Sequence, residues 1–301
     1  MTVGSPLLVA LRAANDAVPE ALVRFDAAVR AGACGPTFEE YSARIADDLA
    51  PWRETMYFDL AAPPAGEVAD ARLLAAAEAV GVELPPRFVD YLRARASVAP
   101  EVLQIVLGYD AGGPAAAPRL KYYLIFKADS SAAVERLRQA VGAPPLPAAL
   151  DPSTVYIVGV DLSDRGLHDF KIYVRLAPAR LRAALRNLGD FAELWRGSRY
   201  LVYQRCLIGG GEQVYFHAAS ADVLERELAR RARRQPAAAA LRTQVSAMNR
   251  APGGAWRPWI LSLPFARGRL LEAPSNLYFH RDDDACDTLH ARDAEDRTDR
   301  R

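Results

Sequence analysis

Four short segments alternate polar and apolar residues around one shared centre: Arg119–Leu124, Asp169–Val174, Glu212–His217 and Ser275–His280. Each places a polar residue two positions before a tyrosine, as Lys121/Tyr123, Lys171/Tyr173, Gln213/Tyr215 and Asn276/Tyr278. The polar positions are spaced by 50, 42 and 63 residues, too irregular for a solenoid but suited to repeated supersecondary units. A second β-rich run precedes each segment: Val102–Asp110, Val155–Asp161, Tyr200–Ile208 and Trp259–Phe265. Turn-forming stretches join the members of each pair, at Gly112-Gly113-Pro114, Asp164-Arg165-Gly166, Gly209-Gly210-Gly211 and Gly268, which predicts β-hairpins. A first hairpin is predicted at Phe38–Ile45 and Trp52–Leu60, turning at Asp47-Asp48.

Between the hairpins the apolar period lengthens to that of helices, over Glu67–Val80, Pro86–Ala96, Ser130–Val141, Pro178–Arg196 and Ala221–Met248. Pro236 should break the last into two. The pattern thus predicts an α+β chain with ten antiparallel strands. In the third hairpin Phe170, Ile172, Val174 and Leu176 face one way, and Asp169, Lys171, Tyr173 and Arg175 the other. The apolar face can pack on helices. A recurring tyrosine on the other face is not what a solvated sheet surface selects. A closed ten-stranded barrel with helices outside and a lumen lined by Lys, Arg and Tyr satisfies both faces.

Composition changes this picture little. The chain has 301 residues, 51% hydrophobic, and 38 basic against 37 acidic groups. Net charge gives no reason to expect nucleic acid or an anionic membrane as partner. No stretch approaches a membrane span and no secretory signal is evident, so a cytoplasmic protein is expected. Three scattered cysteines, Cys34, Cys206 and Cys286, signal neither disulfides nor a zinc site. Asp283-Asp284-Ala285-Cys286-Asp287 spells a DDxxD, but it follows a strand and enters a charge-rich run. It therefore reads as part of a disordered tail over residues 282–301, after a single domain spanning 1–281. His217 and His280 share the inward face and read as hydrogen-bonded fillers.

This arrangement resembles the ABBA (PT-barrel) prenyltransferases, whose ββαα repeats build such a barrel. The Lys-x-Tyr and Gln-x-Tyr pairs resemble those that bind diphosphate and shield the allyl cation. The hairpins opening with Gly108-Tyr109-Asp110 and Gly159-Val160-Asp161 look like those of the branch that prenylates cyanobactin-like ribosomal peptides, as does Glu40-Tyr41-Ser42 followed by Arg53. The resemblance covers roughly residues 35–281. It implies Glu40 as catalytic base, with Glu39 and Glu54 as rivals. It implies Arg53, Lys121 and Lys171 as diphosphate ligands, with Arg175 and Gln213 as weaker candidates. Tyr123, Tyr173, Tyr215 and Tyr278 would form the cation shield. The implied donor is dimethylallyl diphosphate, with Mg²⁺ bound mainly through the diphosphate and no protein metal ligands. The implied acceptor is a linear or macrocyclic peptide; a small indole or phenol, or a non-catalytic ligand-binding barrel, are the alternatives. Asp161, Asp169 and Glu212 hint at an acidic rim suited to a cationic acceptor.

Overall fold

The computed structural model describes residues 5–15, 17–31, 35–60, 65–112, 117–127, 130–176, 186–252 and 254–281. Two helices, α1 (Pro6–Ala14) and α2 (Glu20–Arg30), lead into the hairpin of β1 (Phe38–Ile45) and β2 (Leu49–Asp59). Then come α3 (Ala65–Val80), α4 (Pro86–Ser97), β3 (Val102–Asp110), β4 (Arg119–Phe126) and α5 (Ser131–Ala140). The hairpin of β5 (Val155–Ser163) and β6 (Gly166–Leu176) is followed by the short α6 (Ala192–Arg196), β7 (Ser198–Cys206) and β8 (Glu212–Ala218). The chain continues through α7 (Ala221–Ala232), α8 (Pro236–Arg250), β9 (Trp256–Ala266), β10 (Arg269–Leu270) and β11 (Ser275–Arg281).

All neighbouring strands are antiparallel, from β11 through β1 to β8. β9 pairs with β11 on one side and β8 on the other, which closes ten strands into a barrel. The two-residue β10 only extends the end of β9. Strand count, closure and hairpin order follow the sequence expectation. The two N-terminal helices were not anticipated, although Ser5 caps the first by accepting from Leu8 N at 3.1 Å. The expected helix over 178–196 falls partly outside the described residues; its described end is a 3₁₀ turn, Leu188–Phe191, and α6. The expected tail, 282–301, lies outside them altogether, as does the DDxxD.

The hydrophobic core sits between the outer barrel wall and the helices. Phe88 and Tyr91 of α4 pack on Tyr122 of β4, and Tyr91 also on Phe170 of β6. Phe25 of α2 stacks on Tyr109 of β3 at 5.5 Å. Gln244 of α8 donates to the Tyr41 hydroxyl at 2.6 Å, a buried polar pair at the β1 wall. These outward residues alternate with the lumen residues, so each strand serves core and lumen at once.

One buried feature carries a cost. Arg30 of α2 pairs with Asp26 and Glu39, both at 2.6 Å, and stands 3.6 Å from Glu54. Glu54 is fully buried, and neither of its carboxylate oxygens has a hydrogen-bond partner. Burial and the nearby Asp26 raise its pKa well above the carboxylate range. A carboxyl whose folded pKa is raised loses stabilisation as pH rises from its unfolded value towards the folded one. Glu54→Gln therefore raises the unfolding midpoint by about 3 °C or more at neutral pH, with the gain shrinking as pH falls towards about 4.3, the unperturbed Glu value. Thermal melts at stepped pH check this.

Candidate active site in the barrel lumen

A cavity of about 1680 Å³ runs through the barrel and takes side chains from the inward face of every long strand. All ten residues singled out from sequence line it: Glu40, Arg53, Lys121, Lys171, Arg175, Gln213, Tyr123, Tyr173, Tyr215 and Tyr278. Alternation also separates the three rival glutamates. Glu40 faces the lumen and is 3% exposed, whereas Glu39 and Glu54 turn outward to Arg30. The signal was present in the sequence: Glu39 shares parity with Tyr41, Ala43 and Ile45, and Glu54 with Met56 and Phe58, all buried against the helices.

Towards the hairpin-turn end lies a cluster of opposite charges. Arg53 Nε stands 3.0 Å from Asp110, and Lys121 Nζ 3.7 Å from the same oxygen. Lys171 Nζ donates to Asp161 Oδ2 at 2.5 Å, and Arg119 is 3.9 Å from that oxygen. Asn276 accepts from Arg53 at 2.5 Å and donates to Ser262 at 2.9 Å. Burial opposes the charge on Asp161, but Lys171 and Lys121 outweigh it and hold the carboxyl at about 2. Burial and the neighbouring Arg53 push Lys121 down to about 7. Two cations are thus locked by carboxylates, while Lys121 stands where a bound anion would decide its protonation.

Next to this cluster the tyrosines form a belt. Ring centroids are 5.9 Å apart for Tyr123–Tyr173, 5.7 Å for Tyr173–Tyr215 and 5.8 Å for Tyr215–Tyr278. Arg53 lies 6.0 Å over the Tyr278 ring. Burial raises the pKa of Tyr123, Tyr173 and Tyr215, so these phenols stay neutral. The Trp259 indole and the Tyr57 hydroxyl stand beside Glu40 and favour its charged form. Burial raises its pKa to about 8 against the pull of Arg53 and Lys121.

Arg175 does not join the lysines. It follows Tyr173 on β6 towards the other end of the lumen, where its guanidinium lies 4.8 Å from the Tyr156 ring and 5.4 Å from the Tyr200 ring. His217 stacks on Tyr200 at 4.2 Å and meets Trp259 edge-on at 5.9 Å. His280 does not line the cavity; it packs against Phe38 and Trp259. Trp259, Tyr57, Tyr156 and Tyr200 were missed because they lie outside the four repeated segments, although Tyr57, Tyr156 and Tyr200 each follow a polar residue by two positions, Thr55, Thr154 and Ser198, a signal that could have found them. The acidic-rim expectation is corrected. Asp161 is consumed by Lys171, Glu212 pairs with Arg205 at 3.0 Å, and Asp169 accepts the backbone N–H groups of Ile208 and Gly209. Cys206 lines the lumen as a neutral thiol, pushed up to about 12 by burial.

No protein-family model matches the chain, and no curated protein matches its sequence. Solved structures do. The crystal structure of PriB in binary complex with product diphosphate aligns over 92% of this chain and 95% of its own, with TM-score 0.58 and 15% identity. The 5-dimethylallyltryptophan synthase from Streptomyces coelicolor aligns over 94% and 98%, with TM-score 0.55 and 15% identity. The fold is the PT barrel of the ABBA type. In this PT barrel the cation cluster, the tyrosine belt and Glu40 occupy one continuous lumen.

Lys171 and Asp161 form the buried ion pair on which the cluster depends. Removing one partner of such a pair leaves a desolvated charge, at a cost of about 3–5 kcal/mol. Lys171→Met should show that loss in urea unfolding, and adding Asp161→Asn should recover more than half of it. Among the described residues no helix is long and apolar enough to cross a membrane.

Proposed function

We propose that the chain is a prenyltransferase that moves a dimethylallyl group from dimethylallyl diphosphate to a side chain of a ribosomally made peptide, linear or macrocyclic, and releases pyrophosphate. The observation that carries the proposal is the ordering inside one lumen: cations, then a belt of four tyrosines in tilted and edge-on contact, with the buried Glu40 beside Trp259. Ionisation of an allylic diphosphate needs positive charge at the leaving oxygens and a cation-tolerant, dry surface at the carbon. Arg53, Lys121 and Lys171 are proposed to hold the diphosphate, with Gln213 beside them. Tyr123, Tyr173, Tyr215 and Tyr278 present ring faces to the allyl cation and exclude water. As the acceptor's electron pair forms the new bond to carbon, the displaced proton goes to Glu40.

Magnesium is proposed to enter as a companion of the diphosphate and to be held mainly by it. Among the described residues no group of three or more His, Cys, Asp or Glu is placed to hold a metal ion. Mg²⁺ is commonly bound by one or two carboxylates together with substrate phosphates; Asp110 and Asp161 are the lumen carboxylates paired with Arg53, Lys121 and Lys171. When bound, the ion neutralises charge on the leaving group.

The cavity supports the peptide acceptor. Its volume, about 1680 Å³, exceeds the roughly 300–1,000 Å³ of ordinary small-molecule sites. Beyond the belt it is lined by aromatic Tyr156, Tyr200, His217 and Trp259, by the basic Lys127, Arg175 and Arg199 and by one acid, Asp59. That end therefore favours an aromatic or acidic acceptor segment over a cationic one. A small indole acceptor is the second reading, favoured by the similarity to a 5-dimethylallyltryptophan synthase.

Incubation with dimethylallyl diphosphate and Mg²⁺, with a panel of short peptides or with free tryptophan, separates the readings by mass spectrometry of the acceptor. Pyrophosphate binding without turnover on any acceptor would instead mark a non-catalytic binding barrel. Glu40→Gln should retain pyrophosphate binding and lose kcat by about 10²–10⁴-fold. Glu40 must be ionised to accept a proton, so kcat should climb as pH rises through about 8. The Gln variant should lack that climb. Pyrophosphate affinity should weaken as pH rises through about 7, where Lys121 loses its proton. Lys121→Met should flatten that dependence.

A further inference from the structure

The four tyrosines of the belt stand on β4, β6, β8 and β11, so one strand separates each from the next. Backbones two strands apart lie about 9.5 Å from one another, yet the Tyr123 and Tyr173 ring centroids are 5.9 Å apart. Barrel curvature brings inward rings together, and Tyr173, Tyr215 and Tyr278 meet above strands that carry side chains, Val202 and Gln204 on β7 and Ile260 and Ser262 on β9; Tyr123 differs in lying on the strand between. The residue on that strand is Gly159 of β5, in register with Tyr123 on one side and Lys171 on the other.

A β-carbon built on Gly159 would stand 1.9 Å from Cδ1, 2.3 Å from Cε1 and 2.8 Å from Cγ of Tyr123. The tyrosine ring occupies the space where a side chain would be. Conformation does not explain this glycine. It is not among the positive-φ residues, and a glycine inside a strand weakens the strand. Close approach of another group does explain it. The same placement brings the Tyr123 hydroxyl to 2.9 Å from Asp161 Oδ1, while Oδ2 of that carboxylate holds Lys171.

We propose that Gly159 is a positioning residue for the reaction. It seats the Tyr123 ring flat on the barrel wall, which closes the belt on the side of the cation cluster and keeps Asp161 aimed at Lys171. An alanine there drives the ring off the wall and opens the belt to water. In the prenyl-transfer reading, on which this consequence rests, the diphosphate C–O bond still breaks. Water then competes with the acceptor for the cation, and its oxygen forms the new C–O bond with loss of a proton, yielding dimethylallyl alcohol.

Two measurements test the proposal. In a double-mutant cycle followed by thermal unfolding, Gly159→Ala should lower the midpoint by about 5 °C or more in the native background. The loss in a Tyr123→Ala background should be less than half as large. In turnover, Gly159→Ala should lower kcat for transfer by about 10²-fold, the scale of a small misplacement. It should also raise the ratio of dimethylallyl alcohol to prenylated acceptor, which a merely looser fold would not do. Equal stability losses in the two backgrounds, or a folded Gly159→Ala with the wild-type product ratio, would overturn it. If Gly159→Ala fails to fold, recovery of folding in the double variant supports the seat; failure of the double variant while Tyr123→Ala folds overturns it. If the unaltered protein transfers no prenyl group, the proposed function falls, and the unfolding cycle still decides whether Gly159 seats Tyr123.

Discussion

The structure depends on the double pairing of β9. Its register with β11 and with β8 removes both free edges of the sheet and turns a ten-strand antiparallel meander into a wall with an inside. Residues that would be the solvent face of an open sheet become the lining of a secluded cavity. That seclusion is what shifts the titrations of Glu40 and Lys121, since burial is the largest influence on each. Closure also lets tyrosines on alternate strands converge around a common space, which a flat sheet could not arrange.

Within that wall the charges are arranged as compensated pairs. Asp161 with Lys171 and Asp110 with Arg53 and Lys121 keep a buried basic cluster stable before any ligand arrives. The compensation is uneven. Lys171 and Arg53 have close carboxylate partners, while Lys121 shares Asp110 at longer range and sits near its titration point. Such a cluster can receive an anion with little rearrangement, because the protein groups are already oriented. The cost elsewhere is visible at Glu54, a carboxyl buried behind the same wall where Arg30 of α2 stands 3.6 Å away and the like charges of Asp26 and Glu39 oppose its ionisation.

Much of this was legible from residue order. The polar-x-Tyr repeat placed Lys121, Lys171, Gln213 and four tyrosines on one face, and all line the lumen. Parity along β1 and β2 was sufficient to separate Glu40 from Glu39 and Glu54, since each outward glutamate alternates with residues that pack against helices. Arg175 shows where parity stops. It shares a face with Lys171, but lies on the other side of the belt, stacked on Tyr156 and Tyr200. Alternation reports the face of a strand; depth along the lumen depends on strand tilt and on what the neighbouring strands contribute. The acidic-rim expectation failed for the same reason, because the partners of Asp161 and Glu212 are cross-strand neighbours whose identity only the register reveals.

By itself the sequence determined the strands, their hairpin pairing, the helices between them and the inward set of polar and aromatic groups. These follow from periodicity, which is local. Tertiary structure decided the register in which β9 completes the expected closure, the pairing of Asp161 with Lys171, the position of Trp259 beside Glu40 and the seat of Tyr123 on Gly159. Each joins groups from different strands or hairpins across a curved wall. Their distances arise from the shear and closure of the whole sheet, quantities that no single segment of the chain encodes.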